Sequence, residues 1–308
     1  MALSLRTRVS IQAHKKGVIR VSSKGFDSAE FMADNVPFDH PLGLMFAIAA
    51  YFYIDGIHIQ IESGSPPRSA LGGSSVAAVA LVAVFHQLLE KAGKPVLPFE
   101  KIPLLAHGIE ESVAGVPCGL QDQLAAVFGG VNAWYWNGIG PSRPYSRRPV
   151  VGPDQYKSLS DHLLLAYCGI PHESKNINSR WVKQFISGAH RGRWVEIVHL
   201  TRAFVEALSC FDIDEAVRLM NRETAIRVEM TPDVLDDTGH RLVKAAAEHG
   251  CGARFTGAGG GGCIWALGTK EQIPGLKRAW EPILSEIDAA GLLDVTIDSD
   301  GLLPGKTD

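Results

Sequence analysis

Hydrophobic and polar positions along the chain follow two periods, and the switches between them mark out the elements. From Leu3 to Gln12 the sequence LSLRTRVSIQ alternates residue by residue, the period of a strand with one buried face. Val18 to Ser22 repeats the pattern after Gly17, and the two stretches are expected to pair across that turn. Apolar residues recur at helical spacing from Pro41 to Tyr53. Ile57, Ile59 and Ile61 alternate with polar residues, so Gly56 to Glu62 predicts another strand. The loop SGSPPRSALGG then leads into SSVAAVALVAVFHQLLEKAG, a long, mostly buried helix expected to end near Gly93. Helices are predicted over Pro98 to Ala114 and Gly119 to Phe128, and a strand over Val131 to Trp136.

Between Gly138 and Pro153 the chain is rich in Gly, Pro, Ser and Arg, and a domain boundary is expected there, dividing it into 1–150 and 151–308. Beyond it, His162 to Cys168 (HLLLAYC) reads as a buried strand. Four helical patterns follow between roughly Asn178 and His249. Arg254 to Leu267 reads as strand, glycine loop, strand; Glu271 to Ala290 as a helix; and Leu293 to Asp298 as a final strand. Strands and helices mix without a regular βαβ repeat, which predicts an α+β fold rather than a doubly wound sheet.

Composition narrows the function classes. At 46% hydrophobic and 20% charged over 308 residues, the chain can bury a sizeable core. Thirty Lys and Arg against 33 Asp and Glu leave a formal charge of −3, which argues against bulk binding to nucleic acid. The longest apolar run, Val76 to Phe85, is short of the about 20 residues a membrane span needs. The N-terminus carries Arg6, Arg8, Lys15 and Lys16 through a strand-like stretch rather than the basic head and apolar block of a secretory signal. Neither a nucleic acid nor a membrane is therefore expected as a partner. Five scattered cysteines without a CxxC pair disfavour a disulfide framework or a zinc site and suit a reducing cytoplasm. The chemistry gathers instead around the glycines, 32 of them, about a tenth of the chain against a usual share of about 7%.

One glycine cluster lies in Ser63-Gly-Ser-Pro-Pro-Arg-Ser-Ala-Leu-Gly-Gly-Ser-Ser75, between a strand and the long helix. The first amides of a helix have no internal partners, and together with the helix dipole they attract an anion. Two readings fit this loop: a phosphate cradle in which Ser74 or Ser75 lends a hydroxyl to a metal ion, or a plain serine N-cap on a buried helix. The other cluster, Thr256-Gly-Ala-Gly-Gly-Gly-Gly-Cys263, has far more glycine than a hairpin needs, and glycine weakens structure through backbone entropy. It predicts close backbone approach to something; the alternative is a flexible surface turn. Between the clusters, Glu110 and Glu111 fall late in one helix and Asp122 opens the next. Such acids are commonly a solvated face and a helix-start residue. Beside a phosphate loop, Asp122 could take a hydroxyl proton while a glutamate and a serine hydroxyl hold Mg²⁺.

Taken together, PPRSALGGSSVAA, CGLQDQLAAVFGG and FTGAGGGGC resemble the GHMP kinase superfamily, in the order and spacing of its motifs. The middle segment, with LLAYCGIPHESKNINSRWVKQF downstream, is similar to the sugar-kinase branch: galactokinases and bacterial heptose-phosphate kinases. The resemblance covers about residues 3 to 300. It implies an N-terminal domain of ribosomal-S5 type and a C-terminal ferredoxin-like domain. It implies that Leu71, Gly72, Gly73, Ser74 and Ser75 cradle the phosphates of ATP, that Ser74 and Glu110 hold Mg²⁺, and that Asp122 is the catalytic base. Gly257, Gly259, Gly260 and Gly261 would shape the nucleotide site from the C-terminal domain. The implied activity is an ATP- and Mg²⁺-dependent kinase acting on a small-molecule sugar or sugar phosphate. The sequence departs from the family pattern at Ala70, where glycine is usual, and no stretch ahead of the opening strand resembles the family's first motif, which implies either a sequence that starts late or a degenerate member. The second expectation, from a different class, is thus a catalytically impaired nucleotide- or sugar-binding protein with a regulatory role.

Overall fold

The computed structural model describes residues 1–115, 117–138, 144–171 and 174–303. Two compact units divide the chain. One comprises Leu5–Pro67, Gly72–Gly129 and the chain end from Asp300; the other comprises Met1–Ser4, Arg68–Leu71 and Gly130–Ser299. Part of the predicted boundary segment, residues 139–143, and His172 and Glu173 of the downstream sugar-kinase-like stretch, lie outside the described residues.

The first unit opens with strands β1 (Thr7–Ala13), β2 (Val18–Ser23) and β3 (Phe26–Met32), then helix α1 (Gly43–Tyr51), strand β4 (Ile57–Ser63) and helix α2 (Gly73–Lys91). The sheet order is β1-β4-β2-β3. The predicted pairing of the first two strands across Gly17 is corrected here. β4 inserts between them, antiparallel to β1 with Ile11 opposite Ile59 and parallel to β2 with Val21 opposite Ile59. Alternation announces a strand but not its neighbour, and β4, with Ile57, Ile59 and Ile61 all buried, has the apolar face for a central place. β2 instead forms its hairpin with β3, turning at Gly25, whose φ of +87° suits glycine. Helix α3 (Ile102–Ala114) and helix α4 (Gln121–Phe128) complete the unit. Phe46, Ile48, Ile59, Leu81, Val82, Phe85 and Ala106 build its core.

Helix α2 bears on the expectation that the chain does not span a membrane. By length and composition it is apolar enough to cross a membrane. Ala77, Ala78, Val79, Leu81, Val82 and Phe85 are buried in the core just described, and that packing accounts for its composition.

The second unit carries a hairpin of strand β5 (Asn132–Trp136) and strand β6 (Tyr145–Pro149), then helix α5 (Tyr156–Ser160) and strand β7 (Leu163–Tyr167). Four helices follow, as the periodicity predicts: α6 (Ser174–Ile186), α7 (Arg191–Ser209), α8 (Ile213–Met230) and α9 (Asp237–Glu248). Two of their starts are set by aspartate caps: Asp212 accepts from the Glu215 amide at 3.1 Å, and Asp236 from the Gly239 amide at 2.6 Å. The unit ends with strands β8 (Gly252–Phe255) and β9 (Cys263–Leu267), helix α10 (Ile273–Ser285) and strand β10 (Gly291–Leu293). The last strand is earlier and shorter than predicted; Ile297 makes only an isolated bridge to Leu3. The order β10-β7-β9-β8, antiparallel throughout, is the 4-1-3-2 order of a ferredoxin-like β-α-β-β-α-β unit.

Trp280, Phe255, Leu242 and Leu276 fill its core, and the Trp280 indole donates to the Leu242 carbonyl at 3.0 Å. Beside it lies a charged cluster. Glu223, 8% exposed, accepts from Arg227 Nε at 2.8 Å and from Arg254 Nε at 2.7 Å. The Arg227 guanidinium lies 4.5 Å from the centre of the Trp181 ring and 4.9 Å from that of Trp194. All six tryptophans of the chain fall in this unit.

Candidate active site

The first unit brings most of the predicted site residues together. Strand β4 is followed by a proline-containing loop, and α2 starts at Gly72, which is left-handed at φ +71° and ψ 24° and makes no side-chain cap. Ser74 and Ser75 therefore do not cap the helix. Both hydroxyls turn to Glu110 on α3: Ser74 Oγ donates to Glu110 Oε1 at 2.6 Å, and Ser75 Oγ to Oε2 at 2.8 Å. A third donor arrives from α4, where Gln123 Nε2 lies 2.6 Å from Oε2. Glu111, the other glutamate of the pair, is exposed and accepts the Cys118 amide at 3.3 Å, bracing the turn into α4. Geometry thus separates two adjacent glutamates: one faces the start of α2, the other serves a loop.

Asp122 stands in the first turn of α4. A Cβ placed on Gly72 would come within 2.9 Å of its Cβ and Cγ. Burial, and then the nearby charge of Glu110, push the Asp122 carboxyl up to about 6. An acid at a helix start is ordinarily held ionised by the dipole. The opposite shift marks this one as more than a dipole residue, since a carboxylate poised near neutrality is suited to proton transfer.

The donor set fits a nucleotide with its metal. The first amides of α2 lie beyond the reach of internal helical bonds, and Gly72 leaves its entrance clear of a side chain. Ser74 Oγ and Glu110 are hard oxygen donors of the kind Mg²⁺ takes. No group of three or more His, Cys, Asp or Glu suited to a metal ion occurs among the described residues. One carboxylate and one hydroxyl match an ion that keeps waters and shares phosphate oxygens, rather than one held in a protein cage.

Leu71 and the Gly257–Gly262 loop belong to the second unit. Its glycines are left-handed: Gly257 at φ +57°, Gly259 at +79°, Gly260 at +72°, Gly261 at +99° and Gly262 at +85°. The close approach that the sequence predicts is, in this unit, an approach to its own chain. The Gly260 amide donates to the Val234 carbonyl at 3.0 Å, the Gly259 amide to Thr256 at 3.2 Å and the Gly262 amide to Ile170 at 2.8 Å. A Cβ on Gly261 would lie 3.0 Å from the Ile170 and Pro171 carbonyls, and one on Gly262 would lie 2.7 Å from the Ser69 carbonyl. Gln123 was not singled out in the sequence; its position next to Asp122, thirteen residues after Glu110, was the available signal.

A family model described as GHMP kinases N terminal domain matches residues 41–130, and one described as GHMP kinases C terminal matches residues 204–283. The chain belongs to the GHMP kinases, phosphotransferases that use ATP and have an alcohol as acceptor. Among individual proteins it is similar to mevalonate kinase of Thermococcus sibiricus, 25% identical over 94% of this chain and 90% of that protein. It is also similar to D-glycero-alpha-D-manno-heptose 7-phosphate kinase of Campylobacter jejuni, 26% identical over 78% of this chain and 70% of that protein. Lactococcus lactis galactokinase, solved with galactose, shares the fold at a TM-score of 0.72 and 18% identity, over 97% of this chain and 87% of that one.

Proposed function

We propose that this protein is an ATP- and Mg²⁺-dependent kinase that phosphorylates a hydroxyl of a sugar or sugar phosphate. The carrying observation is Asp122, raised to about 6 and set against the glycine that opens α2. In this reading Asp122 accepts the proton of the attacking hydroxyl as its oxygen bonds to the γ-phosphorus and the bond to the ADP oxygen breaks. Leu71, Gly72, Gly73, Ser74 and Ser75 form the phosphate loop, with the α2 amides binding phosphate oxygens. Ser74 and Glu110 would hold Mg²⁺, which when bound offsets the charge of the β- and γ-phosphates. In the second unit, Gly257, Gly259, Gly260 and Gly261 are nucleotide-contacting candidates in their own right. The Gly259 and Gly260 amides already donate within the chain, so their contribution would be shape.

We assign the phosphate loop and base to 1–150 and the glycine-rich loop to 151–308. A reducing cytoplasm suits the buried thiols of Cys168 and Cys251, which burial pushes up to about 12 and about 11.

A second reading, a mevalonate-type alcohol as acceptor, is favoured by the similarity to mevalonate kinase across 94% of the chain. Measuring ADP release with ATP, Mg²⁺ and a panel of hexoses, heptose phosphates and mevalonate separates the two. Turnover on a sugar that Asp122→Asn abolishes is the expected result. Turnover on mevalonate alone overturns the sugar assignment, and nucleotide binding without ADP release on any alcohol overturns the kinase reading.

A further inference from the structure

The two carboxylate oxygens of Glu110 are held differently. Oε1 accepts from Ser74, an exposed residue. Oε2 accepts from Ser75, 7% exposed, and from Gln123, whose side chain is fully buried. The amide nitrogen of Gln123, and not its oxygen, faces Glu110. The Gln123 Oε1 atom is left buried with no partner. A buried acceptor without a donor costs stability, and packing alone would favour Leu or Met at this fully enclosed site. The orphaned oxygen is the by-product of aiming the nitrogen.

We propose that Gln123 is a positioning residue which, with Ser75, holds Oε2 of Glu110 and leaves Oε1 directed to the Ser74 side, where the divalent cation that accompanies the nucleotide is taken up. The proposal rests on the kinase reading above. It assigns the residues Asp122 and Gln123 complementary tasks, one as the proton acceptor and the next as the anchor of the metal-binding carboxylate. Ligand-orienting partners of this kind are worth about 10- to 100-fold in metal affinity.

The test uses the full chain with Mn²⁺ as the probe, its binding followed by the electron spin resonance signal of the free ion in the presence of the non-hydrolysable analogue AMPPNP. Gln123→Met removes the donor and fills the site with a side chain of similar length. The expected result is Mn²⁺ affinity about 10- to 100-fold weaker, with unchanged metal-free AMPPNP affinity and a melting temperature equal to or above the parent's. Parent-like Mn²⁺ affinity in Q123M overturns the proposal. If Q123M does not fold, Gln123→Leu, which also removes the donor to Oε2 and leaves the phosphate loop untouched, is read on the same scale with the same consequences. A parent chain that takes up no Mn²⁺ with AMPPNP overturns the metal assignment of Glu110, and this proposal with it.

Discussion

Gly72 and Asp122 lie so close that a Cβ on the glycine would sit 2.9 Å from the Cβ and Cγ of the aspartate. The start of α2 and the start of α4 are thus fitted to one another at a residue that also needs a left-handed backbone. Gly72→Ala is expected to destabilise the chain by about 1–2 kcal/mol from the backbone alone and to displace Asp122. Urea denaturation together with ADP release measures both effects, and wild-type turnover in the variant would show that the fit has no bearing on catalysis.

Asp122 carries a stability cost that depends on pH. Its folded-state value of about 6 lies above the ordinary 3.8, so the folded protein binds this proton more tightly than the unfolded chain does. Stability from this group is therefore highest in acid, falls as pH rises from about 4 to about 6, and stays low above that. Asp122→Asn should raise stability by up to roughly 3 kcal/mol at pH 8 but little at pH 4, while lowering turnover about 10²- to 10⁴-fold. Denaturation at the two pH values checks the sign, and equal effects at both would refute it.

Glu223 has the opposite dependence. Burial alone would raise its carboxyl, but the guanidiniums of Arg254 and Arg227 outweigh burial and hold it at about 2. Its contribution is present above about pH 4.5 and is lost as pH falls from there towards 2. Glu223→Gln leaves two arginines without their anion, and a loss of about 3–5 kcal/mol is expected at pH 7. Thermal melts at pH 7 and pH 3 should show that the gap between parent and variant narrows in acid.

Gly262, at φ +85°, would place a Cβ 2.7 Å from both the Ser69 carbonyl and the Ala70 Cβ. Gly262→Ala is expected to cost more than about 1 kcal/mol, since both conformation and space oppose it. A denaturation midpoint equal to the parent's would mean that the segment 68–71 gives way readily.

Most strands and helices are legible because burial imposes its period on the sequence; β6, inside the segment read as a domain boundary, is not. The four helices of the second unit and the alternating isoleucines of β4 are the clearest instances. Pairing was not legible: β1 and β2 follow one another across Gly17, yet β4 separates them. β3 leaves no alternating signal, because only Ala29 in it is buried and its pairing with β2 carries an irregularity between Val21 and Ser23. At the site, the motif residues Gly72, Ser74, Glu110 and Asp122 stand out as a set. Gln123 did not, since a glutamine identifies itself only through the partner it is buried against. The glycine run was legible as a need for close approach but not as an approach to Ser69, Ile170 and Val234, which local sequence cannot reveal.

Because every tryptophan of the chain belongs to the second unit, intrinsic indole emission arises there and not in the unit that holds Glu110 and Asp122. With Arg227 between Trp181 and Trp194, unfolding of that cluster changes the surroundings of two emitters at once. A tryptophan introduced into the first unit would therefore report on that unit as the difference between the variant's emission and that of the parent's six.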